Sequence, residues 1–103
     1  MVSVNYEDLQ VGQSASMERT VTERDVQMFG DATGDHNPVH FDEAYAAKTI
    51  FRGRVAHGVL SIGFISAVMG TRLPGEGSIF VSANFSFKAP VRIGETVITT
   101  CTV

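Results

Sequence analysis

Two histidines and two acids crowd around one proline in Gly34-Asp35-His36-Asn37-Pro38-Val39-His40-Phe41-Asp42. A carboxylate and an imidazole held side by side suit proton transfer, since burial and mutual proximity tune each toward neutral pH. Pro38 restricts this stretch and pushes Asn37 toward an extended backbone, so Asp35 and His40 can be held in a defined geometry. The same residues also fit a polar loop whose Asp and His cap neighbouring helices, and spacing alone does not choose. A metal site is disfavoured. His36 and His40 stand four apart, as ligands on one helical face would, but Pro38 lies between them and argues against that helix. No HExxH pattern or cysteine pair accompanies them.

Further candidates lie downstream. Ala56-His57-Gly58 precedes the most apolar segment and reads as a helix start. The first amides of a helix lack internal acceptors and favour negative charge. Gly58 has no side chain to shield its N–H, which can stabilise an enolate oxygen; it also fits as a packing glycine. His57 is open to two readings, a residue at a ligand or an ordinary helix-start residue with a satisfied ring. Lys88, after an alternating run, can meet a phosphate or simply be a solvated strand end. Ser66, in an otherwise apolar helix, either bonds a carbonyl one turn back or lines a substrate cavity.

The elements that must position these residues follow from periodicity. Ser14–Val21 alternates, with Ala15, Met17, Arg19 and Val21 on one side, and reads as a strand. Thr22 and Asp25 resemble a capping box for a helix over 23–32 with Val26, Met28, Phe29 and Ala32 as its apolar stripe, ended by Gly34. Residues 34–40 are expected as a loop, Asp42 as the cap of a short helix through Ala47, and 48–54 as an exposed connection. Residues 57–70 are apolar on nearly every side, so this helix is expected to be buried, with Gly63 admitting the close approach of a sheet. Leu73-Pro74-Gly75 breaks the chain. Ile79–Phe87 alternates and is expected as a strand, as is Thr96–Val103 after a turn at Ile93-Gly94-Glu95. The order predicts an α+β domain with an antiparallel sheet packed on one helix.

Composition bounds the function. A chain of 103 residues is expected to form one domain, residues 1–103, with a limited core that a partner subunit would help to stabilise. With 44% hydrophobic and 18% charged residues it is globular rather than disordered. A net charge of -3 and the lack of a basic run argue against a nucleic-acid role. Cys101 is the single cysteine, which rules out an internal disulfide framework and suits a reducing cytoplasm. Met1–Leu9 is too polar for a secretory signal, and the apolar run near Val59–Met69 is too short to span a membrane.

The order of motifs resembles the MaoC-like, (R)-specific enoyl-CoA hydratases. Gly34-Asp35-His36-Asn37-Pro38-Val39-His40 is similar to that family's hydratase motif, opened by an aspartate and closed by a histidine five residues on. His57-Gly58-Val59-Leu60 resembles the start of its central helix, and Ser78-Ile79-Phe80 with Phe85-Ser86-Phe87-Lys88-Ala89-Pro90-Val91 the strand that follows. The resemblance implies a hot-dog fold, an antiparallel sheet wrapped around one long helix. It implies a homodimer in which the sheets of two subunits join, with the acyl-CoA near the interface. Family members continue with further strands, whereas Val103 falls inside a strand, so the chain is expected to be C-terminally truncated.

By the same resemblance, Asp35 and His40 hold one water that adds to a trans-2-enoyl-CoA, giving an (R)-3-hydroxyacyl-CoA, while the Gly58 N–H takes up enolate charge. Asn37, His57, Ser66 and Lys88 are the substrate-binding candidates, and no residue is assigned to a metal. No cofactor is required; coenzyme A enters as part of the substrate. A cytoplasmic role in fatty acid metabolism or polyester precursor supply is implied. Two rivals stand beside this reading: a hot-dog thioesterase, which would release thiol, and a non-catalytic acyl-binding module.

Overall fold

The computed structural model describes residues 3–103, which divide into two compact units. One comprises Ser61–Ser86, Ile98–Val103 and the chain up to Glu18; the other comprises Arg19–Leu60 and Phe87–Val97. After a short 3-10 turn at Tyr6–Asp8, the described elements are β1 (Ser14–Thr20), α1 (Glu23–Thr33), α2 (Pro38–Phe41), α3 (Glu43–Ala46), α4 (Gly58–Thr71) and β2 (Thr96–Thr102). No helix among the described residues is long and apolar enough to cross a membrane.

The Arg19–Leu60 unit holds the acid/imidazole motif. Its α1 starts where the sequence puts it. The Thr22 side chain accepts the Asp25 N–H at 3.1 Å, and Asp25 accepts the Thr22 N–H at 2.9 Å, closing the capping box. Gly34 ends the helix at φ 80°, a left-handed conformation that costs glycine no steric penalty, and its N–H reaches the Gly30 carbonyl at 2.8 Å. Of the expected stripe Val26 is buried and Phe29 half-buried, whereas Met28 and Ala32 are exposed, so the buried face is narrower and includes Gly30.

The box has a pH signature. Burial pushes the Asp25 carboxyl up, but the Thr22 N–H and the Arg19 guanidinium at 2.9 Å outweigh it and hold the group below its ordinary value of 3.8. A carboxylate lowered on folding stabilises above its unfolded pKa and loses that contribution as pH falls through the folded one. The Tm advantage of wild type over Asp25→Asn should therefore be full at neutral pH and shrink on acidification below about 4. Melting curves of both proteins at neutral and acidic pH check this; an advantage that grows in acid would contradict it.

Residues 34–40 are not wholly a loop. As expected, Pro38 leaves Asn37 non-helical at φ -54° and ψ 125° and no helix runs through 36–40, but Pro38 itself opens the four-residue α2, because its missing N–H is not needed at a first helical position and its fixed φ suits one. Asn37 caps this turn, its side chain accepting the Val39 N–H at 3.3 Å. Asp42 caps α3 as expected, accepting the Tyr45 N–H at 3.0 Å. The connection over 48–54 is less exposed than its composition suggests: Gly53 is buried, and Arg54 is half-buried by partners described below.

In the other unit the Ser14–Glu18 part of β1 pairs with the Ile98–Thr102 part of β2. Gly12 N–H bonds the Val103 carbonyl at 2.7 Å and Ser16 bonds Thr100 through hydroxyls at 2.7 Å. Partner numbers fall as β1's rise, so the ladder is antiparallel. Ala15, Met17 and Cys101 are half-buried and Thr99 is buried. Within α4 only Val68 is fully buried, which corrects the expected buried helix: Val59 is 45% exposed, and among the described residues no atom lies within 4 Å of a Cβ added at Gly63, so none of the described strands approaches there. The alternating run 79–87 is also not a strand. Alternation specifies two faces, but a strand needs a partner backbone, and among the described residues none pairs with this run; Ile79 and Val81 are 81% and 88% exposed.

Candidate active site

His40 sits on α2 and is 9% exposed. Its Nδ1 lies 2.7 Å from the Val55 carbonyl oxygen. A carbonyl only accepts, so Nδ1 carries the hydrogen and the neutral ring keeps its lone pair on Nε2. The His40 backbone is fixed too. Its carbonyl accepts the Arg54 Nε–H at 2.8 Å, and Arg54 forms a two-point pair with Glu23 at 2.6 and 3.1 Å.

Asp35 follows the left-handed Gly34 and is partly exposed. Its own N–H bonds the Thr33 hydroxyl at 3.1 Å, and its carboxylate accepts the Asn37 N–H at 3.3 Å. Its carbonyl accepts the His57 Nε2–H at 2.9 Å. The carboxylate of Asp35 and one ring nitrogen each of His40 and His57 lie within 4.8 Å of one another. This constellation can pass protons between a carboxylate and an imidazole through one water. Two imidazoles and a carboxylate are also a donor set that divalent metals use. The pair weighed from spacing, His36 with His40, does not form: His36 turns to Asp31 at 3.1 Å, and its hydrogen bond, with that of Gln27, holds the Asp31 carboxyl below its ordinary value.

The other candidates fall as follows. Gly58 opens α4, is exposed, and has the Phe87 ring 3.2 Å from where a Cβ would stand. His57 is 1% exposed, so its ring is enclosed rather than presented at the surface. It contacts the rings of His40, Phe29 and Phe41 at centroid distances of 3.9, 4.6 and 5.7 Å. Asn37 is exposed and engaged in capping α2. Lys88 is exposed, just after Phe87. Ser66 belongs to the β1/β2 unit, where it lines a small cavity with Met69, Gly70, Ser78, Ile79 and Phe80. Among the described residues it makes no bond to a carbonyl one turn back.

Sequence reasoning missed Arg54 and Glu23, whose pairing spans 31 residues, and the role of Gly30. A Cβ on Gly30 would stand 2.6 Å from the Phe41 ring and 3.2 Å from the Asp35 carbonyl oxygen. The available signal was a glycine inside an otherwise helical pattern, which usually has a packing reason.

A family model described as a MaoC-like domain matches residues 7–103. The chain is 55% identical over 98 residues to an (R)-specific enoyl-CoA hydratase of Rhodospirillum rubrum, covering 95% of this chain and 68% of that protein. It is 48% identical over 92 residues to a 3-hydroxybutyryl-CoA dehydratase of Methylorubrum extorquens, covering 89% of this chain and 59% of that protein. An R-hydratase of Pseudomonas aeruginosa, solved in its unliganded form, superposes with a TM-score of 0.87 at 44% identity, over 95% of this chain and 63% of that one. The chain thus spans between 59% and 68% of the length of these proteins. The α+β hot-dog fold expected from the sequence is the fold of this chain.

Proposed function

Because the chain belongs to the MaoC-like domain family, we propose that it is a lyase that adds water reversibly to a trans-2-enoyl-CoA to give an (R)-3-hydroxyacyl-CoA. One observation carries the reading: a partly exposed carboxylate and an imidazole of assigned tautomer, Asp35 and His40, have donor atoms within 4.8 Å. The pair holds one water. Its oxygen bonds to C3, its proton passes to one member of the pair, and a proton from the pair reaches C2, so the sum is water across the double bond. The thioester oxygen gains enolate charge in between, and the Gly58 N–H at the start of α4 stabilises it; one such donor is worth about 3 kcal/mol. No resident metal or redox cofactor has a part in this sequence, and coenzyme A is carried by the substrate.

The reading extends to a cytoplasmic homodimer. Exposed apolar side chains such as Val59 and Ile98 favour a second copy as cover, and the single Cys101 suits a reducing compartment.

Incubation with crotonyl-CoA tests the reaction. The expected result is loss of enoyl absorbance, no free thiol, and an (R)-3-hydroxy product. Thiol release would move the assignment to a thioesterase, and binding with unchanged absorbance would move it to an acyl-binding module.

A further inference from the structure

We infer that His57 is a positioning residue that sets the distance between Asp35 and His40; the inference rests on reading those two as the proton-transfer pair. Burial comes first. At 1% exposure the His57 ring lies inside the protein, enclosed by aromatic rings, so contact with a ligand at the surface does not explain it.

Hydrogen bonding comes next. Nε2 donates to the Asp35 carbonyl, which leaves Nδ1 buried and without a partner. Leaving a buried polar atom unsatisfied costs stability. An aliphatic side chain would fill the same space without that cost, so the imidazole is kept for its other nitrogen. Among the described residues, the bond it makes is the long-range hydrogen bond on Asp35. The remaining bonds of Asp35 go to Thr33 and Asn37, two residues away on either side, and travel with it.

His40 is fastened to the Val55 carbonyl and Asp35 to the His57 ring. Both reacting groups therefore hang from one three-residue segment, Val55-Ala56-His57, which is buried throughout. The segment is itself held by Ala56 N–H to the Val91 carbonyl at 2.7 Å and Val55 N–H to the Val39 carbonyl at 3.3 Å. The His57 ring also lies 3.9 Å from the His40 ring, tilted 34°, which limits how far that imidazole can swing.

The test compares His57→Leu with His57→Gln, whose amide N–H takes the place of Nε2–H. Misplacing reacting groups by about 1 Å costs up to a hundredfold in rate, so for His57→Leu we expect kcat to fall on the order of tenfold to a hundredfold with KM little changed. His57→Gln should recover most of the loss. Equal losses in both variants at matched Tm would reduce His57 to packing, and a raised KM with unchanged kcat would make it a substrate contact; either overturns the inference. If His57→Leu does not fold, His57→Asn, whose amide falls short of Asp35, replaces it and is read the same way. An imidazole 15N spectrum of the wild type reads the tautomer without turnover. A hydrogen on Nε2 is expected, and one on Nδ1 refutes the positioning role. Lack of hydration by the wild type would instead sink the proposed reaction and leave the tautomer result standing.

Discussion

Asp35→Asn and His40→Asn should each lower kcat for enoyl-CoA hydration by on the order of 10²–10⁴, the usual worth of general acid/base help. Each substitution spares the local structure. Asn at 35 keeps an oxygen for the Asn37 N–H and loses only the ionisable group. Asn at 40 places an amide N–H where Nδ1 stood, so the bond to the Val55 carbonyl survives while the Nε2 lone pair disappears. Tm and KM should therefore stay close to wild type, and the loss should appear in kcat, as expected for an interaction made in the transition state. The double variant should lose little more than either single one, because two groups acting on one water fail together. Steady-state kinetics with crotonyl-CoA, alongside thermal melts, checks all three statements. Near-normal turnover in both single variants would remove this pair from the mechanism.

What could be seen in the sequence divides by distance along the chain. The Thr22–Asp25 capping box, the Gly34 stop and the Asp42 cap were legible because each rests on partners within about one helical turn. Both paired strands were legible from their alternation and β-branched content. The candidate pair was legible because Asp35 and His40 sit five residues apart, in a motif that resembles a known family. Contacts that join distant segments were not. The Arg54–Glu23 pair spans 31 residues and the His57–Asp35 bond 22, and no local pattern announces which partners the fold will bring together. The loop expected over 34–40 stops short at Pro38 for a different reason. The rule that proline breaks a helix interior is correct, but at the first position proline starts one, and one residue type carries both meanings. Residues 79–87 show the limit of alternation: it states which side chains share a face and leaves open whether a backbone is there to pair with.

Gly30→Ala should impair hydration on the order of a hundredfold, by misplacing reacting groups rather than removing any. Alanine in a helix is favoured over glycine by about 1 kcal/mol, so intrinsic propensity argues for the substitution. Packing argues against it. The new methyl would stand 2.6 Å from the Phe41 ring, well inside contact distance, and 3.2 Å from the Asp35 carbonyl oxygen. Overpacking of this kind costs about 1–3 kcal/mol, so the net loss of stability is modest. The strain has few places to go. Phe41 is the softer neighbour, but its ring contacts His36, His40 and His57 at 5.5, 6.4 and 5.7 Å, so moving it disturbs the imidazoles. The Asp35 carbonyl is backbone and is already held by His57. Displacing it shifts the carboxylate relative to His40. The expected pattern is a small change in Tm with a large fall in kcat. Adding Phe41→Leu, which makes room for the methyl, should recover part of that fall, a coupling that a double-mutant cycle reads directly. Wild-type turnover in Gly30→Ala would mean that Phe41 yields without moving Asp35, and that the close approach of α1 to this loop has no part in placing the pair.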